Sequence, residues 1–279
     1  AAGSVSAAQR RIAVGLEYDG VRFAGWQLQP GLSTIQGKVQ DALARIADHP
    51  VEATCAGRTD AAVHANGQVA HFDTTSDRPM RGWVLGCNGE LPPEIAMLWA
   101  IEVDGQFHAR HSALARSYRY CILQRPTRPA LLRERAWWVR APLDAAAMHE
   151  AARQLQGEHD FSAFRAAECQ SKTTRRRVDS VNVTADGPLV TIEITANAFL
   201  HHMVRNIVGT LLAVGTGEQK PGWVAEVLES RDRARAGITA PAHGLYLDRV
   251  HYPPGLGIPE LVPLQPWAMI AGQSQRGPT

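Results

Sequence analysis

The stretch VDSVNVTADGPLVTIEITA, residues 178–196, constrains the fold of this chain more than any other. Apolar and polar residues alternate on both sides of Asp186-Gly187: Val181 and Val183 before it, then Val190, Ile192 and Ile194 after it. Two alternating runs joined by a tight Asp-Gly turn predict an antiparallel hairpin with one face turned to a core. The next segment, FLHHMVRNIVGTLLAVGTG, reads as a long apolar helix. Met203, Ile207 and Leu211 form one ridge, and Val204, Val208 and Leu212 form the next. This part of the chain therefore mixes strands with helices.

The rest of the chain repeats this mixture. RIAVGLEYDG alternates Ile12, Val14, Leu16 and Tyr18, as a strand ending in a turn would. STIQGKVQDALARIADHP is an amphipathic helix. Ser33 and Gln36 have capping-box spacing, Ile35, Val39, Leu43 and Ile46 share a face, and Pro50 ends it. VEATCAG and GQVAHFDT read as strands, DRPMRGWVLGCNGEL as a short helix and IAMLWAIEVD as a strand. A second series begins near Phe107. It has strands at SYRYCIL and RAWWV, then the helix LDAAAMHEAARQLQG with Asp144 as its cap. The hairpin and the apolar helix follow, then a helix at PGWVAEVLES with Pro221 at its start and a late strand in HGLYLDRVHY. A chain of 279 residues is about where single cores stop growing. The expectation is therefore an α+β protein of two mixed α/β domains, with largely antiparallel sheets flanked by helices. The boundaries predicted are 10–106 and 107–264, with loose tails at 1–9 and 265–279.

Charge excludes some classes and leaves others open. Charged residues make up 20%, too few for a disordered chain, and no apolar run is long enough to span a bilayer. The N-terminal AAGSVSAAQRRIAV lacks the apolar core of a signal peptide. Cys55, Cys87, Cys121 and Cys169 are dispersed, with no C-x-x-C, which points to a reducing cytoplasm and to buried thiols. Net charge is only +2, but its distribution is uneven. Arginines crowd residues 110–135, with only Glu134 opposing, and KTTRRR spans 172–177. Such patches fit phosphate contacts and fit a solvated surface equally well.

Three features compete for chemistry. In CAGRTDAAVH, residues 55–64, Arg58 and Asp60 share a strand-end loop, where side chains two apart point the same way. A guanidinium there would hold the carboxylate ionised and oriented, as a catalytic Asp requires; the same spacing suits a structural ion pair. In the apolar helix, His201, His202, Arg205 and Asn206 form a polar seam. Arg205 on such a helix calls for an anion, either a phosphate or a carboxylate from elsewhere in the chain, unless it reaches out to water. The histidines suggest a metal, yet there is no H-E-x-x-H and no His/Cys/Cys deaminase set, so no metal site is expected.

Six segments in order resemble the tRNA pseudouridine synthase A family: EYDGVRFAGWQLQP, STIQGKVQDAL, CAGRTDAAVHANGQVAHF, FHARHSALARSYRYCI, NAFLHHMVRNIVG and HGLYL. The resemblance runs from about Arg11 to Pro254. It implies isomerisation of uridine to pseudouridine at tRNA positions 38–40, in the anticodon stem-loop, without metal or organic cofactor. The family's catalytic Asp maps onto Asp60, with attack at C1′, addition to the uracil ring and proton transfer at C2′ all open as its role. Arg58 and Arg205 map onto positions that hold that Asp. Tyr118 maps onto the aromatic that packs on the target base and acts in its deprotonation, and Leu245 onto the apolar wall of the pocket; the resemblance also implies an active-site cleft between the two domains. Arg110, Lys172, Arg175 and His202 are expected to contact the RNA. The resemblance further implies a cytoplasmic homodimer with tRNA lying across both subunits. A non-catalytic RNA-binding factor on the same scaffold would have no need of the Arg58, Asp60 and Tyr118 set.

The resemblance has three departures. Ala62 stands where the family usually has Gly, His111 where it often has Phe, and Ser117 where a basic residue often precedes the Tyr. If position 62 needs a positive φ, Ala costs about 1 kcal/mol or shifts the loop.

Overall fold

In the computed structural model, which describes residues 9–169 and 171–260, the chain runs β1 (Arg10–Tyr18), α1 (Ile35–Ala47), β2 (Thr54–Cys55), β3 (His64–Thr74), α2 (Met80–Glu90) and β4 (Ile95–Val103). It continues through β5 (Ala115–Gln124), β6 (Trp137–Val139), α3 (Ala145–Arg153), β7 (Gly157–Asp160), β8 (Arg175–Asp186), β9 (Leu189–Ala196), α4 (Met203–Gly215), α5 (Trp223–Ser230) and β10 (Leu245–His251). The tails expected to be loose lie outside the described residues, apart from Gln9.

The chain forms two compact units. The first runs to Leu114 and resumes at Leu247; the second is Ala115–Tyr246. The expected boundary at 106/107 therefore falls inside the first unit. Residues 107–114 belong there because Tyr252 Oη donates to the Ala109 carbonyl at 2.6 Å and the Leu114 amide donates to the His251 carbonyl at 2.8 Å. Those partners lie about 140 residues apart in sequence, so no local pattern announces them.

In the first unit the strand order is β4-β1-β3-β10, with β2 paired on β3. β1 is antiparallel to both β3 and β4. Its Ile12, Val14 and Leu16 are fully buried, but Ala13 and Gly15 are buried too, so the strand is covered on both faces where the alternation predicts a half-buried one; the core is completed by Leu43, Phe72, Trp83 and Met97. Helix α1 starts one residue later than the capping-box spacing implies. Thr34, not Ser33, is the cap, its Oγ1 accepting from the Gly37 amide at 3.3 Å. Gln36 is committed elsewhere: its Oε1 accepts from the Leu28 amide and its Nε2 donates to the Ala53 carbonyl. Side-chain ties to two other segments thus displace the local box.

In the second unit the order is β5-β9-β8-β7, antiparallel throughout, with β6 added parallel to β5. The hairpin is as the alternation predicts. Asp186 pairs with Leu189, and the two-residue loop is Gly187-Pro188, Gly187 taking φ 55°. Val181, Val183, Val190, Ile192 and Ile194 are buried. Asp144 caps α3, accepting from the Ala147 amide at 2.9 Å. Helix α4 begins at Met203, not at the head of the FLHHMVRNIVGTLLAVGTG segment, because His202 adopts a left-handed conformation at φ 60°. Helices and largely antiparallel strands together make this an α+β protein.

Candidate active site

The GRTD loop is built entirely within the first unit. The ladder between β2 and β3 ends with the Ala56 amide donating to the Val69 carbonyl at 2.7 Å. Beyond it the chain leaves the sheet. Arg58 is exposed, Thr59 is buried and Asp60 is half-buried. The loop Asp19–Thr34 lies against this segment: the Trp26 amide donates to the Thr59 carbonyl at 2.9 Å. Gly25 has φ 88°, and a Cβ there would sit 2.7 Å from the Thr59 carbonyl oxygen. A Cβ on Gly20 would sit 1.9 Å from the Val63 carbonyl oxygen. Only glycine permits backbone to approach backbone this closely. Cys55, three residues ahead of Arg58, is not the reactive group of this stretch. Burial pushes its thiol up to about 12, so it is a neutral core atom.

The second unit assembles another set. Tyr118 is half-buried on β5, opposite Ile194, and meets Phe199 edge-on with ring centroids 4.9 Å apart. Tyr120 lies two residues on, on the same face, and is fully buried. Its hydroxyl donates to the Pro241 carbonyl at 2.7 Å, and burial raises its pKa well above the ordinary phenol value, with the Arg205 charge acting in the opposite sense. Arg205 on α4 is tied twice to the neighbouring Ala240. Its Nε donates to the Ala240 carbonyl at 2.7 Å, and the Ala240 amide donates to the Arg205 carbonyl at 3.1 Å. The chain then passes through the Ala242–Gly244 turn into Leu245, which is buried. The segment 240–245 therefore links Arg205, the tyrosine face of β5 and Leu245 within one unit. The sequence signal for Phe199 is slight: an aromatic two residues before the His201-His202 pair. Asn206, also in the polar seam, serves the fold: it donates to the Phe164 carbonyl and accepts from Thr239 and Arg233.

Of the residues expected to contact RNA, Arg110 in the first unit is exposed, as are Lys172 and Arg175 in the second. Arg175 also pairs with Glu158 at 3.1 Å, both side chains well exposed, a contact worth little against solvent. His202 is half-buried at the head of α4, its carbonyl accepting from the Asn206 amide. Three of the four cysteines are buried as expected; Cys169 is only half-buried, and all four are free thiols.

Comparison with known proteins then decides the family. Residues 151–253 match a family model described as tRNA pseudouridine synthase. A tRNA pseudouridine synthase A of Methylococcus capsulatus is 57% identical over 248 residues, spanning 89% of this chain and 92% of that one. The chain belongs to the tRNA pseudouridine synthase A family. Relatives of the same name from Coxiella burnetii and Aeromonas hydrophila are 51% and 54% identical, each over 92% of this chain and over 98% and 95% of their own lengths.

The three departures expected from the tRNA pseudouridine synthase A pattern have physical consequences. Ala62 does take the positive φ, at 64°. Ser117 is satisfied inside the sheet, its Oγ 2.7 Å from Thr195 Oγ1 on the facing strand. His111 is exposed, its ring centroid 4.2 Å from that of His108.

Proposed function

We propose that this chain isomerises uridine to pseudouridine in the anticodon stem-loop of tRNA, at positions 38–40, with Asp60 as its catalytic carboxylate. One observation carries the reading: near-complete, two-way coverage at 57% identity with a tRNA pseudouridine synthase A. The reaction breaks the bond from N1 to C1′, turns the uracil and joins C5 to C1′. A proton is lost from C5 and one is gained at N1, so the net change is an isomerisation. It is redox-neutral, and the reading assigns no cofactor to it.

Each residue has a physical task. Asp60 acts as the ionised carboxylate at C1′, at the uracil ring or at C2′. Arg58 and Arg205 are the cations assigned to hold and orient it. Tyr118, braced at its edge by Phe199, offers a ring to the base, and Leu245 supplies an apolar wall. Extracting a stacked uridine costs a few kcal/mol, and stacking on an aromatic ring returns about 1–3 kcal/mol. Phosphate contacts from Arg110, Lys172, Arg175 and His202 supply further affinity that falls with salt. The reading also takes the active protein as a homodimer, with tRNA lying across both subunits, in the cytoplasm. The free thiols support a reducing compartment, and no helix among the described residues is long and apolar enough to cross a membrane.

The deciding experiment is release of tritium from C5 of labelled uridine in tRNA. Wild type is expected to release it and Asp60→Ala to release none above background. No release by the wild type would leave an RNA-binding factor as the better description. Equal release by both would remove Asp60 from the reaction.

A further inference from the structure

We propose that Gln68, Tyr18 and Thr59 are positioning residues that fix the Asp60 carboxylate in place for the isomerisation. The inference rests on the function proposed above and adds residues to it.

Gln68 is 0% exposed, in the middle of β3. A carboxamide there is costly unless all its groups are bonded. Its Nε2 donates to the Gly57 carbonyl at 2.7 Å and its Oε1 accepts from the Gly57 amide at 3.4 Å. The side chain thus extends the β2–β3 ladder by one step, just where the backbones part. The second Nε2 hydrogen goes to the Tyr18 hydroxyl at 3.2 Å. That hydroxyl lies 2.8 Å from Thr59 Oγ1, and the phenol, the more acidic of the two, is the natural donor. Tyr18 and Thr59 are 4% and 6% exposed, so the bonds joining Gln68, Tyr18 and Thr59 are shielded from water.

These bonds grip the loop on both sides of Arg58: the backbone of Gly57 before it, and the side chain of Thr59 after it. Backbone bonds complete the hold. The Thr59 carbonyl accepts from Trp26, and the Asp60 carbonyl accepts from Val63 at 3.1 Å. Both peptide groups of Asp60 are therefore fixed by partners outside the residue. An apolar trio of equal volume would pack a sheet just as well. A fully bonded polar trio selects a single loop position, which is what a reacting carboxylate needs.

The test compares Thr59→Val, Thr59→Ser and Tyr18→Phe with the wild type in C5 tritium release, with kcat and KM determined separately, and in tRNA binding. Misplacement of a reacting group by about 1 Å costs on the order of 10²-fold. Thr59→Val and Tyr18→Phe are expected to lower kcat by roughly 10- to 100-fold, with KM and tRNA affinity within about twofold of wild type. Thr59→Ser, which restores the hydroxyl, is expected within about threefold of wild-type kcat. Unchanged kcat in Thr59→Val overturns the inference. So does a Thr59→Ser variant as slow as Thr59→Val, or a tRNA affinity that falls in step with kcat. If Thr59→Val does not fold, Tyr18→Phe, which deletes a single oxygen, decides by the same criteria. A wild type that releases no tritium overturns the isomerase reading and this inference with it; an active wild type with unaffected variants overturns the positioning role alone.

Discussion

Val63 donates its backbone N–H to the Asp60 carbonyl at 3.1 Å, closing a turn whose third residue, Ala62, is held at φ 64°. That position of a β-turn is where glycine relieves strain. Ala there costs about 1–2 kcal/mol against the right-handed alternative, partly offset because Ala also restricts the unfolded chain. Ala62→Gly is therefore expected to stabilise the protein by roughly 0.5–1 kcal/mol, read as an increased urea midpoint at constant m-value. A lower midpoint would show that the Ala methyl makes contacts that outweigh the strain.

Gly25 and Gly31 both have positive φ, at 88° and 74°, but only one has a crowded surrounding. A Cβ at Gly25 would meet the Thr59 carbonyl oxygen at 2.7 Å and the Asp60 carbonyl carbon at 3.0 Å; at Gly31 it would meet nothing within 4 Å. Gly25→Ala is expected to lose about 1–3 kcal/mol of stability and more than tenfold in kcat, because the GRTD loop must move. Gly31→Ala is expected to lose about 1 kcal/mol and to keep its kcat. Equal kcat loss in both variants would show that backbone strain, rather than contact with the loop, is responsible.

These features also mark what the sequence reveals and what it hides. The hairpin at 178–196 was legible because alternation is a local signal, although its two-residue loop is Gly187-Pro188, one residue beyond the expected Asp186-Gly187. Asp144 was legible as a cap for the same reason. Thr34 was not, since Gln36, half of the apparent capping box, bonds to Leu28 and Ala53 instead. The pause before α4 was hidden because a left-handed His202 leaves no trace in the apolar periodicity. Asp60 stands in GRTD, a local motif that also carries the family resemblance. Tyr18 and Gln68 were not: they stand 50 residues apart, single polar groups in apolar strands, and only strand pairing brings them to Thr59.

Arg205 gives a prediction that separates chemistry from binding. Its Nε holds the Ala240 carbonyl, at the head of the segment that carries Leu245. Arg205→Met keeps much of the side-chain volume and removes the charge. The expected outcome is a kcat loss of at least about 10²-fold with tRNA affinity within a few-fold, measured by filter binding beside tritium release. A parallel loss of affinity, with a shallower salt dependence, would place Arg205 on a phosphate instead.

His71 sets a pH dependence of stability. Burial, with the Arg11 and His108 charges acting in the same direction, lowers its pKa to about 4. Its Nδ1 accepts from the Ala109 amide at 3.2 Å, which requires that nitrogen to be unprotonated. In the unfolded chain a His titrates near 6.5, so between pH 6.5 and about 4 the unfolded state binds the extra proton. The neutral His71 contribution is thus fully present above pH 6.5, shrinks as pH falls through that window, and amounts to about 3 kcal/mol at most. His71→Asn, whose Oδ1 can accept from Ala109 in place of Nδ1, is expected to flatten this part of the stability–pH curve. Urea unfolding of both proteins at pH 7.5, 6, 5 and 4.5 checks it. A wild-type curve that falls no more steeply than the variant's would mean that His71 binds a proton as readily folded as unfolded.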